Sequence, residues 1–138
     1  RLFEKWRDGS RYIDESLVAF INAAGLSHRT MIFDTLSSDG RLVHSFIGQG
    51  YQEVYGAEWV TGAIGKPIEW QPDAAFGNFV ADVYNGIVRS GNPQFVHMAH
   101  QIPGTGEHRF YERIACPFKT SGGAPVVVCC SRIVEPTF

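Results

Sequence analysis

At 138 residues the chain suffices for one domain with a single sizeable core. Its 44% apolar and 19% charged residues are ordinary for a globular protein, and a net charge of −2 gives no electrostatic reason to expect a nucleic-acid backbone as partner. No apolar run approaches the roughly 20 residues needed to cross a bilayer, no signal peptide is visible, and the cysteines Cys116, Cys129 and Cys130 lack framework spacing, so reduced thiols and a cytoplasmic setting are expected.

Residues Arg1 to Trp6 read as a short helix or tail, ended by the turn signal Asp8-Gly9-Ser10. Between Ile13 and Ala24 the positions Leu17, Val18, Phe20 and Ile21 suit an amphipathic helix, with Gly25 as its C-terminal cap. These four are candidates for a homodimer contact; the alternative is a helix packed on its own domain. Arg29 to Leu36 is rich in β-formers, Ser37-Ser38-Asp39-Gly40 is a hairpin turn signal, and Leu42 to Ile47 is the returning strand.

Gly48, Gly50, Gly56, Gly62 and Gly65 punctuate a stretch of short helical turns that carries Tyr51, Val54, Tyr55 and Trp59. Gly48-Gln49-Gly50 is not a dinucleotide fingerprint, because its third glycine would fall at Glu53 and no βαβ unit follows. Asp73 can cap a long helix whose apolar positions are Phe76, Phe79, Val80, Val83, Ile87 and Val88, and Gly91 and Pro93 stop it. Three strands follow, Phe95 to Ile102, His108 to Phe118 and Val126 to Val134. Pro103-Gly104-Thr105-Gly106 and Ser121-Gly122-Gly123 separate them, and turns this short impose antiparallel pairing. Cys129 and Cys130, adjacent in a strand, should face opposite sides, as should Glu112 and Arg113, and His97 and His100.

The order of these elements, with Tyr55-Gly56 and Thr61-Gly62 inside Asp39 to Pro67, resembles the PAS sensory domains. Phe110 to Phe118 resembles their long penultimate strand, and Gly122 to Glu135 their last. Within the family the likeness is to a bacterial subgroup often met in alphaproteobacteria, in which an aromatic-Trp segment precedes the domain, as Phe3 and Trp6 would here. The resemblance implies an α+β fold of order β-β-α-α-α-β-β-β. It has a five-stranded antiparallel sheet, helices on one face and an N-terminal flanking helix. Residues 1–28 would be the flanking segment and 29–138 the sensor domain. One departure concerns the end, where Arg132-Ile133-Val134-Glu135-Pro136 replaces the usual Asp-Ile-Thr type motif. Pro136 disfavours a continuous output helix, which points to a stand-alone domain or to signalling through the N-terminal helix.

The resemblance also implies a cavity between the sheet and the long helix. Its candidate lining residues are Phe46, Tyr55, Phe76, Phe79, Val83, Met98, Ile114 and Cys116; the same residues could fill a core that holds no ligand. The expected function is a sensory module that binds a small ligand or a partner protein, with no catalytic residues, no metal site and no nucleic-acid partner. The cofactor stays open between none, haem and noncovalent flavin. The long helix has no His for a haem, and the Asn-Cys motif of the light-sensing subgroup is absent, which sets aside a covalent flavin adduct. Arg109, Arg113 and Arg132 each offer a donor fork for a carboxylate or phosphate, although a solvated sheet face is the expected place for all three. The rival reading is a cone-shaped isomerase or dehydratase using Asp82, Tyr84, His97 and Tyr111 as general base and helpers. Its folds open with long helices, whereas here the long helix stands between two strands and three.

Overall fold

Residues 2–35, 41–70, 74–101 and 108–134 are described by the structure, a computed structural model. Two helices lead, α1 (Leu2–Asp8) and α2 (Glu15–Ala23), and a 3-10 turn over Ser27–Arg29 enters strand β1 (Thr30–Asp34). Then come β2 (Val43–Ile47), the short helices α3 (Tyr51–Tyr55) and α4 (Ala57–Ala63), and the long α5 (Ala74–Ser90). Strands β3 (Gln94–Gln101), β4 (His108–Lys119) and β5 (Pro125–Val134) complete the order expected from the sequence. The turn at Ser37 to Gly40, the cap at Asp73, the loop at Pro103 to Gly106 and Pro136 lie outside the described residues.

The sheet has the order β2-β1-β5-β4-β3 and every pairing is antiparallel. The last strand therefore sits in the middle, joining the first hairpin to the β3–β4–β5 meander. Side chains alternate between the two faces, and each face has its own core. The inner core takes Met31 and Phe33 from β1, Tyr111 and Ala115 from β4, and Val127 and Cys129 from β5, under α3, α4 and α5. The outer core takes Cys116 and Phe118 from β4 and Val126 and Val128 from β5, under α1 and α2. Cys129 and Cys130 thus face opposite ways, and all three cysteines are free thiols.

On α5 the inner stripe runs through Val80, Tyr84 and Ile87, an i, i+4, i+7 series, with Ala81 beside it. Phe79, expected on that stripe, is half exposed; it lies one position, or about a third of a helical turn, from Val80.

The N-terminal helices are tied to the end of β4. Trp6 donates its indole N–H to the Pro117 carbonyl at 2.7 Å, and the Arg11 guanidinium lies 4.0 Å from the centroid of the Trp6 ring. The backbones of Arg11 and Ile13 pair with Lys119. Asp14 caps α2, its carboxylate accepting from the Leu17 N–H at 2.9 Å, and a Schellman pair, Gly25 N–H to Asn22 O and Leu26 N–H to Ile21 O, closes it. Of the four dimer candidates, Leu17 and Ile21 are buried against the outer sheet face, Phe20 packs partly on the same cluster, and Val18 is exposed.

Candidate functional site

Helices α3 and α4 are joined at Gly56, whose φ of +90° is reached without strain only by glycine. This joint lets α3 lie on the sheet with Tyr51 and Tyr55, an i, i+4 pair, side by side. Their ring centroids are 6.1 Å apart, and Tyr55 stacks on Trp59 of α4 at 4.4 Å. Both hydroxyls reach down to the strands. That of Tyr51 is 2.8 Å from Ser131 Oγ on β5 and 2.8 Å from the Arg29 carbonyl oxygen; that of Tyr55 is 2.7 Å from the Tyr111 hydroxyl on β4.

At the centre of this group is Arg113. The sequence reading puts it on a solvated face, but it is 3% exposed, because alternation along β4 places it between Tyr111 and Ala115 on the inner side. Its Nε donates to Ser131 Oγ at 2.9 Å and its Nη1 donates to the Tyr84 hydroxyl of α5. Its Nη2 is buried and makes no hydrogen bond among the described residues. The guanidinium carbon is 5.2 Å from the Tyr111 ring centroid, 5.8 Å from that of Tyr51 and 6.0 Å from that of Tyr84. Among the described residues no carboxylate pairs with it. Burial pushes the Tyr51 hydroxyl up to about 12 and those of Tyr55 and Tyr84 well up, so near neutral pH the tyrosines offer dipoles and no negative charge. A guanidinium keeps its proton in proteins. Among the described residues Arg113 is therefore a buried cation without a counter-charge.

Beside this cluster is a cavity of about 200 Å³. Tyr51, Tyr55, Tyr111 and Ser131 form part of its wall, and the exposed Arg29, Glu53 and Arg132 are among its other lining residues. A second polar group lies elsewhere in the inner core. His44 of β2 is buried, with Nδ1 2.9 Å from the Lys66 carbonyl oxygen and its ring 5.0 Å from Phe33 and 5.8 Å from Trp59. Burial lowers its pKa from 6.5, so the neutral ring is favoured.

Of the eight lining residues expected from the sequence, Tyr55 is the one placed on this cavity. Phe46 is partly exposed and lines a neighbouring, more open groove with His28 and Gln49. Phe76 and Val83 pack against the inner core, while Phe79 faces outward. Ile114 and Cys116 belong to the outer core, one residue out of phase with Arg113 and Ala115. Met98 is paired in the backbone with Tyr111, and its side chain lies outside the described residues. Tyr51, Tyr111 and Ser131 are missing from the sequence candidates for the cavity. Their signals were the i, i+4 tyrosines and the period-two series Tyr111, Arg113, Ala115.

Arg132 is exposed and pairs with Glu112 at 2.7 Å, as a solvated sheet face requires, and the Arg109 side chain lies outside the described residues. The residues of the rival enzyme reading are dispersed. Tyr84 and Tyr111 are inside, Asp82 is exposed on α5, and the His97 side chain is 75% exposed beside Glu112. Among the described residues no group of three or more His, Cys, Asp or Glu is placed to hold a metal, and no helix is long and apolar enough to cross a membrane.

No protein-family model matches the sequence, and no curated protein matches it. Solved structures do match by shape. The PAS domain of Bordetella pertussis BvgS superposes with a TM-score of 0.62 at 15% identity, over 88% of this chain and 89% of that one. A light-oxygen-voltage domain studied with a flavin analogue matches with a TM-score of 0.62 at 14% identity, over 89% and 87% of the two chains. VqmA bound to DPO matches with a TM-score of 0.62 at 16% identity, over 85% of this chain but only 57% of the VqmA chain. The architecture is therefore the α+β fold of PAS and light-oxygen-voltage domains, as the resemblance implied.

Proposed function

We propose that the domain is a sensor that takes a small ligand into the cavity beneath α3, and that occupancy changes how α3 and α4 sit on the sheet. The observation that carries this reading is the buried, uncompensated Arg113 with its tyrosine and serine hydroxyls beside a cavity of about 200 Å³. A core selected only for stability has little use for such a cluster, since burying a charge without a partner is unfavourable. Structural neighbours of the same fold are sensory domains, and one of them, VqmA, is solved with a small molecule bound. A ligand can shift such a domain only by as much as it prefers one packing of α3 over another. The polar ties of α3 to the sheet, Tyr51 to Ser131 and Tyr55 to Tyr111, are the contacts that would differ between the two packings.

The domain is non-catalytic in this reading, because the exposed Asp82 and His97 do not converge on the buried tyrosines. It is bacterial and cytoplasmic, with the N-terminal helices as a relay to a partner or to a second copy. Their attachment to the end of β4, the strand that carries Arg113, supports that route. The test is a screen of small metabolites by two-dimensional amide NMR on the purified chain, preceded by mass spectrometry of any compound released on denaturation. Shifts confined to residues of α3, β4 and the end of β5 are expected for at least one compound. A screen in which no compound moves those residues would refute the reading.

A further inference from the structure

We infer that the ligand of this cavity is an organic monocarboxylate, and that its carboxylate pairs with the Nη2 group of Arg113. This assignment rests on the ligand-binding reading above and adds the chemical class. The guanidinium is 3% exposed, its Nε and Nη1 are taken by Ser131 and Tyr84, and its Nη2 donates to nothing. Tyr51, pushed up to about 12 by burial, and Tyr84, pushed well up, stay neutral, so the cation has dipoles around it and, among the described residues, no counter-ion. A single negative charge neutralises one buried guanidinium, and a planar carboxylate matches its donor geometry. The wall also carries Arg29 and Arg132 beside Glu53, a net positive lining that attracts an anion, and planarity and size rather than charge favour a carboxylate over phosphate. The size of the cavity fits the same class. An engineered apolar cavity of about 150 Å³ holds benzene, so a cavity of about 200 Å³ suits an aromatic or short aliphatic acid.

Arg113 is not itself a lining residue of the cavity. It lies one layer behind the cavity wall, in contact with Tyr51, Tyr111 and Ser131, which are themselves lining residues. A carboxylate that reaches Nη2 must displace part of that layer, to which Tyr51 of α3 itself belongs and to which α3 is tied again by the hydroxyl contact between Tyr55 and Tyr111. Acid binding and a shift of α3 are then one event.

The experiment is an NMR titration of the whole chain with matched pairs, benzoate against benzamide and propionate against propionamide, and separately with inorganic phosphate. The readouts are the Arg113 Nε–H resonance and the amides of α3. The expected result is that an acid binds at least tenfold more tightly than its amide, moving Arg113 and α3 together. The preference should also fall at least tenfold in Arg113→Gln. If that variant does not fold, the acid-to-amide ratio in the parent protein decides alone. Equal binding of acid and amide at α3 would overturn the carboxylate assignment and leave the ligand reading intact. Phosphate binding more tightly than either acid, or acids that move only the exposed Arg29 and Arg132, would also overturn it. Absence of any shift at Arg113 and α3 from these probes overturns it too, and if the wider screen is equally silent the ligand reading falls with it.

Discussion

At the residue scale burial is the largest influence on the chemistry of His44 and the three cysteines. The folded-state pKa of His44 lies below 6.5, first because burial penalises the imidazolium and next because Arg113 repels it, while the Lys66 carbonyl and Glu69 oppose the shift. Because the unfolded chain binds the proton more tightly, the stability contributed by the neutral ring is complete above about 6.5. It is lost as pH falls from there through the depressed folded value. The melting temperature of the parent should therefore drop between pH 7.5 and pH 5 by more than that of His44→Gln, whose amide can still donate to Lys66. Parallel curves for the two proteins would show that His44 does not drive the acid loss. Cys116 and Cys129 are pushed up to about 12 by burial, and Cys130 is raised for the same reason. A thiol reagent at pH 8 should accordingly leave Cys116 and Cys129 unmodified in the native protein for many times the period in which denatured protein reacts fully. Rapid native modification of either would contradict this.

At the scale of elements, α2 separates two uses of one amphipathic stripe. Leu17 is 2% exposed against the outer core, whereas Val18 is 52% exposed. Leu17→Ala should lower the free energy of unfolding by about 2–5 kcal/mol, the range for buried leucine truncations. Val18→Ala should stay within about 0.5 kcal/mol of the parent. Urea denaturation measures both, and a large loss for Val18→Ala that grows with protein concentration would reveal a contact between copies. The same helix shows what a sequence makes legible. Periodicity at 3.6 located α2 and α5, because burial of one face leaves that imprint whatever covers it, while β-formers and turn signals located the strands and glycine punctuation the short α3 and α4. The identity of the covering partner leaves no such imprint, so Leu17 and Ile21 suited a dimer as well as their own sheet. The site was harder for a related reason. Ile114 and Cys116 are as apolar as any pocket residue, and only the phase of β4 against its neighbours separates them from Arg113 and Ala115. Arg113 itself reads as a surface residue in isolation, since a long charged side chain is rarely buried without a pairing partner.

In the molecule as a whole, β5 lies between β1 and β4 and carries residues of both cores, so the sheet is held from two sides. Helices α3 and α4 are five and seven residues long, too short to persist without tertiary contacts, and they sit on one side of that sheet. Opening of this pair should therefore require less free energy than global unfolding. Native-state hydrogen exchange should show residues 51–63 exchanging through a local opening, while the central parts of β4 and β5 exchange only with the whole domain. The hydroxyl pair of Tyr55 and Tyr111, at 2.7 Å and buried, is one of the bonds that such an opening breaks. Tyr55→Phe removes that contact and keeps the stacking surface on Trp59. A typical internal hydrogen bond contributes about 0.5–1.5 kcal/mol net, so α3 amides should exchange roughly 2- to 12-fold faster in the variant. The sheet amides should change less, because the bond concerns an opening in which they take no part. Equal acceleration at every amide would mean that α3 is not a separate unit and that ligand occupancy has no local element to move.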